Sequence, residues 1–232
     1  MAVIRFLFHA LVPAMLAGSS LLLVTGCNIA SAVGYAVHPE PEFEAQYELA
    51  DVPTVIFIDD RRGVVNPTRL RRVIADEATA QLMEEGVISE QNMIAPRDAM
   101  IAARRSDRSG DVVPIARIAE MVGADQVIYV DVNQFALTFD GVTPSPLSIS
   151  RVRVLNIVTG KRVFPDPDAP DGDVVYYQLS VDLPNAKPHG FNTVKVRNEM
   201  TEQLALQTGD GIGKLFYRYI KSELGSRVGR SQ

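Results

Sequence analysis

Residues 111–132, DVVPIARIAEMVGADQVIYVDV, constrain the fold more than any other stretch of this chain. Asp111 stands ahead of a short helical pattern, and Pro114 falls in its first turn, where the missing N–H does no harm. Ile115, Ile118, Ala119 and Val122 then recur at i, i+3, i+4 and i+7, which makes one apolar helical face. Gly123 follows, suited to the left-handed cap that ends a helix. The pattern next changes to Val127-Ile128-Tyr129-Val130, apolar on both faces, as a strand in the middle of a sheet must be. Helix, glycine and central strand predict an α/β fold: a mixed β-sheet packed by helices.

The amino-terminal stretch obeys different chemistry. Residues 1–26 read as a targeting segment with Arg5 as its positive charge. The apolar run from Ala10 to Val24 is broken by Pro13 and Gly18-Ser19-Ser20, too short and interrupted to span a bilayer. It ends in Val24-Thr25-Gly26-Cys27, which resembles the lipobox of bacterial lipoproteins: an aliphatic residue, two small ones, then the cysteine that is lipidated and becomes the mature N-terminus. Cys27 is the sole cysteine, so the chain has no internal disulfide. Each buried methylene of an acyl chain contributes about 0.8 kcal/mol, so several chains on Cys27 would anchor the protein to a membrane without a spanning helix. Asn28, where related lipoproteins retained at the inner membrane carry Asp, points to the outer membrane, with the domain facing the periplasm. Residues 27–52, acidic and proline-interrupted, read as a flexible tether able to reach roughly 80 Å when extended. A single domain is expected over 53–226, with a disordered tail at 227–232. His38, alone in the tether, makes a poor ligand.

Within that domain, Thr54–Ile58 forms a second apolar run and ends in Asp59-Asp60. Paired carboxylates after a central strand could hold a cation or serve as acid and base. They could equally open the turn into Arg61-Arg62-Gly63 and pair with those arginines, which is the expectation adopted here. A helix follows, with Asn66 as N-cap, Pro67 at its first position, Leu70, Val73, Ile74, Ala78 and Leu82 on one face, and Gly86 at its end. A short edge strand at 92–95 and a helix from Pro96 lead to the central unit. The strand begun at Val127 is expected to continue through Phe135, Leu137 and Phe139. Another covers Ile149–Val158, and Thr159-Gly160-Lys161 turns it back into Val163-Phe164. Val175–Leu183 alternates cleanly as a half-exposed strand. A helical stripe from Val196 to Leu224 closes the chain.

Several motifs fail on inspection. The acidic stretch from Asp166 has Pro170 fifth, Asp171 sixth and Tyr177 twelfth, where a calcium loop needs an acid, Gly and Glu. Gly209-Asp-Gly211-Ile-Gly213-Lys214 lacks the first glycine of a P-loop (Thr208) and its terminal Ser/Thr (Leu215), so a kink or close helix packing is expected. His189 sits in a Pro-Gly loop without a partner. A net charge of −5 argues against nucleic acid as the partner. The arginine clusters Arg69, Arg71, Arg72 and Arg104, Arg105, Arg108 read as solvated faces. No catalytic residue, metal ligand or cofactor is expected, and oligomeric state stays open.

The order of elements is similar to the α/β domain shared by the curli-secretion channel lipoprotein and the amino-terminal domain of the Tol-Pal translocation protein. Penicillin-binding-protein activator lipoproteins are relatives of that group. Ile115–Ala119 with Gly123–Ile128, and Val154–Val163 around Thr159-Gly160, carry the resemblance, which spans residues 53–224 in order. It implies a non-catalytic envelope scaffold with an envelope protein as partner, and no transferable catalytic residue. Two alternatives remain: a metal-dependent hydrolase using Asp59/Asp60 or His189, and a secretion-channel subunit. Asn133, Arg151, Arg153 and Asn156 interrupt the strands that a membrane-crossing hairpin would need.

Overall fold

A computed structural model describes residues 42–107, 113–168, 174–183 and 191–220. Two compact units divide the chain. One holds Met1–Phe43 with Ile220–Gln232, of which only Glu42, Phe43 and Ile220 are described; Glu44–Tyr219 is the other. All that follows concerns Glu44–Tyr219, an α/β unit built on a mixed sheet packed by helices.

Its elements are β1 (Thr54–Asp59), α1 (Leu70–Glu84), β2 (Met93–Ile94), α2 (Pro96–Asp107), α3 (Ile115–Val122), β3 (Gln126–Ala136), β4 (Leu147–Asn156), β5 (Lys161–Phe164), β6 (Tyr177–Asp182) and α4 (Val194–Gly213). The apolar runs of β1 and β3 lie side by side in parallel, Thr54 opposite Gln126 through Asp59 opposite Asp131. Short β2 pairs parallel to the free edge of β1. Beyond β3 the sheet turns antiparallel, with Val130 opposite Val152 and a register shift between Val132 and Gln134. The outer edge of β4 is shared: β5 takes Val154–Asn156 and β6 takes Leu147–Val152.

Alternation along the strands assigns the two faces. Ile56, Ile58, Ile128, Val130, Val152 and Val154 point to one side, where they pack with Leu70, Ile74, Ala78 and Leu82 of α1 and Ala205 and Ile212 of α4. Val55, Phe57 and Val127 point to the other, against Ala99 and Ala102 of α2 and Ile118 and Ala119 of α3. Helix α3 ends as its sequence predicts, with Gly123 at φ 74° and its N–H on the Ala119 and Glu120 carbonyls. Close approach of α1 and α4 depends on glycine. A Cβ at Gly209 would stand 2.6 Å from the Ile74 carbonyl oxygen and 2.7 Å from Glu77 Cβ, and one at Gly213 2.9 Å from Gln81 Cβ. The Gly-rich stretch is therefore a helix-packing seam.

Four boundaries differ from the sequence reading. Helix α1 starts at Leu70 with Arg69 as its cap, not at Asn66, because residues 66–69 form a turn whose tight bonds run from Leu70 N–H to the Pro67 carbonyl and from Arg71 N–H to Thr68. Strand β3 stops at Ala136, and Phe139, 62% exposed, lies beyond it. Asp140 organises that bend, accepting from Thr138 Oγ1, Val142 N and Thr143 N at 2.7–2.8 Å. Helix α4 stops at Gly213, well short of Leu224, because the Leu215 carbonyl accepts from Gln46 N (2.8 Å) and Tyr47 N (3.3 Å). Those two donors also show packing that begins ahead of Pro53. The Tyr47 ring lies 5.7 Å from Phe164, and Asp51 accepts from Ser89 N, Ser89 Oγ and Asn92 Nδ2 at 2.9–3.0 Å. The amide of Asn92, then Ser89 N–H, holds the Asp51 carboxyl below its usual range.

Candidate functional site

The chain leaves β1 through α1 on one face, returns at β2, and then crosses through α2 and α3 on the opposite face to β3 on the far side of β1. Helices that diverge to opposite faces from one strand leave a crevice at its carboxyl end, the place where open α/β sheets bind ligands. Here the crevice is an open cavity of about 730 Å³. The end of β1 forms its floor with Phe57, Ile58, Asp59 and Tyr129, the start of α1 forms one wall, and α2 with Ile115 and Ile118 of α3 forms the other.

Asp59 and Asp60 sit where the sequence places them, but they serve different partners. Asp59, 8% exposed, receives the Tyr129 hydroxyl and pairs with Arg61 Nε at 3.0 Å. Asp60, 5% exposed, turns away to accept Val64 N at 2.8 Å and Val65 N at 3.0 Å. Both carboxylates thus end the strand and fix the turn after it. Arg62 reaches Asp131 at 3.5 Å and donates to Asn133 Oδ1 rather than pairing with either acid. Burial first, then its hydrogen bond to Asp59, pushes the Tyr129 hydroxyl well above its ordinary range, so it remains a donor across physiological pH. Its ring stacks on Phe57 at 6.2 Å, and the Arg153 guanidinium lies 4.4 Å above it on the neighbouring strand. No group of three His, Cys, Asp or Glu side chains spaced to hold a metal occurs among the described residues.

The crevice owes its charge to arginines that are solvated, as the sequence reading has them, with the Arg69 and Arg72 side chains 56% and 64% exposed. Arg69, Arg71, Arg72 and Arg104, read as solvated faces, line it together with Arg61 and Arg97. Arg69 is held bidentate by Glu202 at 3.0 and 3.2 Å, and Arg72 and Arg97 make looser pairs with Asp76 and Asp98, each at 3.5 Å. Arg71 and Arg104 have no ion pair among the described residues. Only the local clusters 69–72 and 104–105 signal this in the sequence; the convergence of arginines from separate elements is a product of the fold. Cys27, Val24, Thr25, Gly26, His38 and His189 lie outside the described residues.

No family model and no curated protein matches the chain. Solved structures similar to it include the PelC dodecamer from Paraburkholderia phytofirmans, at 12% identity, covering 77% of this chain and 97% of that one with a TM-score of 0.39. Lipoprotein GNA1162 from Neisseria meningitidis is similar at 10% identity, over 66% of this chain and 96% of that one, TM-score 0.38. The LpoB C-terminal domain from Salmonella enterica is similar at 16% identity, over 60% and 89%, TM-score 0.33. At these scores the likenesses assign neither family nor function, and the curli-secretion and Tol-Pal resemblance stays an expectation carried by two stretches of sequence.

Proposed function

We propose that this chain is a lipid-anchored, non-catalytic lipoprotein of a bacterial cell envelope, whose α/β unit serves as a protein-binding scaffold or accessory subunit of an envelope assembly. One observation carries the reading: the only cysteine of the chain stands at the end of Val24-Thr25-Gly26-Cys27, directly after a broken apolar segment. On this reading acyl chains on Cys27 hold the unit at the outer membrane, facing the periplasm, and the acidic, proline-interrupted segment after Cys27 gives it reach. The engagement of Asp59 with Tyr129 and Arg61, and of Asp60 with backbone N–H groups, supports a structural role for both carboxylates. A hydrolase built on this pair would need at least one of them free to act on water or metal.

The test is crosslinking of the native, membrane-attached protein, followed by purification and identification of what is joined to it. A recurrent envelope protein, recovered with wild type and lost when Cys27→Ser releases the chain from the membrane, is the expected result. A stoichiometric metal that co-purifies and disappears with D59N/D60N would make the hydrolase the better reading.

A further inference from the structure

Six arginines, Arg61, Arg69, Arg71, Arg72, Arg97 and Arg104, line the crevice, and four of them have a carboxylate partner: Arg61 with Asp59, Arg69 with Glu202, Arg72 with Asp76 and Arg97 with Asp98. Of the two carboxylates that line the crevice, Asp60 accepts two backbone N–H groups, and Asp59 already has Tyr129 and Arg61. Arg71 and Arg104 have no ion pair among the described residues, so an anion entering the crevice meets two guanidiniums with donors to spare. The arginines come from the β1 turn, α1 and α2, so their convergence is set by the fold and not by one charged run. Below them the walls are apolar. Phe57, Met100, Ile115 and Ile118 line the cavity, and Ile101 is left 44% exposed there. The volume, about 730 Å³, falls in the range of small-molecule sites and is modest for a folded partner.

We propose that this crevice is a binding site for a small phosphate ester with an apolar body, its phosphate held by Arg71 and Arg104 and its body laid against Met100, Ile101 and Ile115. The planar guanidinium forks match phosphate oxygens in pairs, and a dianion satisfies two unpaired arginines where a single carboxylate satisfies one. The paired arginines form the second rank: Arg72 and Arg97, with exposed partners at 3.5 Å, can turn to the ligand at small cost because such surface pairs contribute little. This assignment goes beyond the scaffold reading and does not depend on it; lipidation of Cys27 and capture of an envelope partner can each stand or fall without touching the crevice.

The experiment is calorimetric titration of the mature full chain in detergent at low salt, with phenyl phosphate, inorganic phosphate and benzoate as probes. Phenyl phosphate is expected to bind most tightly, inorganic phosphate more weakly because it lacks the apolar body, and benzoate more weakly because it lacks the second charge. Replacing both unpaired arginines (R71Q/R104Q) should weaken phenyl phosphate by at least about tenfold, the loss of one or more charge-assisted bonds. The charge-matched pair R162Q/R218Q, on β5 and beyond α4 and absent from the crevice lining, should leave it within about twofold, since exposed charges away from the site are screened. Amide shifts on titration should cluster at residues 57–61, 68–72 and 97–104. No binding of phenyl phosphate at millimolar concentration, equal loss in both double variants, shifts scattered elsewhere, or benzoate binding as tightly as phenyl phosphate would each overturn the proposal. Equal melting temperatures of the variants and the parent are the check that the fold is intact, and shift mapping on the parent alone decides the question if they differ.

Discussion

Asp60 shows how a single side chain sets the end of a central strand. Its buried carboxylate accepts two backbone N–H groups that the turn would otherwise leave unpaired. Asp60→Ala strands both donors and should cost about 2–3 kcal/mol, whereas Asp60→Asn, which keeps one acceptor oxygen, should cost about half as much. Denaturant melts of the two variants check the order; equal losses would mean that the charge, not the acceptor geometry, holds the turn. Asp140 acts in the same way on the surface. Its bonds from Thr143, Val142 and Thr138 hold its carboxyl far below the ordinary carboxylate range. A depressed pKa contributes stability that is fully present above the unfolded value, near about pH 4, and is lost as pH falls toward the folded value. Protection of the Val142 and Thr143 amides, taken relative to their intrinsic exchange rates, should therefore hold at about pH 5 and fall below about pH 3, and Asp140→Asn should remove that acid dependence. Unchanged exchange in the acid range would show that the bend is held by something else.

At the scale of elements, the seam between α1 and α4 gives a prediction whose sign is informative. In a free helix Gly→Ala stabilises by about 1 kcal/mol. At Gly209 the added methyl meets the Ile74 carbonyl and Glu77 Cβ, neither of which is a loose side-chain end, so Gly209→Ala should destabilise by about 1–3 kcal/mol. At Gly211 the nearest atom is Val181 Cγ2 at 3.0 Å, a side chain able to shift, so Gly211→Ala should be the milder change. Thermal melts that find Gly209→Ala stabilising would separate the two helices. Elements with local signals were legible in the sequence. The Ile115–Val122 stripe, Gly123, the apolar run of β3 and the Thr159-Gly160 turn each carry their period or their cap in adjacent residues. The start of α1 was misplaced because Asn66-Pro67 has the chemistry of a helix start, yet Asp60 and a tight turn occupy the backbone just before Leu70. The end of α4 was misplaced because Gln46 and Tyr47, some 170 residues away in the chain, take the Leu215 carbonyl. For the same reason the crevice was only half visible: Asp59-Asp60 announce the strand end, but arginines read as two separate clusters meet only when α1 and α2 flank β1.

Within Glu44–Tyr219 the centre of the mixed sheet is covered on both faces, so it should tolerate no charge. Val130 is fully buried between Ile58 and Val152 on the neighbouring strands. Val130→Asp would bring an unpaired carboxylate into that layer, and the unit should fail to fold, as read by loss of its cooperative melt. A variant that melts like wild type would place the strand at the surface and contradict the architecture. On the proposed reading, function at this scale would depend on attachment: a unit that binds another envelope component without doing chemistry would act by being held in the right place. The most direct measurement is metabolic labelling of cells with a fatty-acid analogue, paired with intact mass determination of the mature protein. Lipid attachment at Cys27 predicts label on wild type, none on Cys27→Ser, and a mature chain that begins at Cys27 with the added mass of acyl groups. Label retained on Cys27→Ser, or residues 1–26 still present on the mature protein, would contradict it.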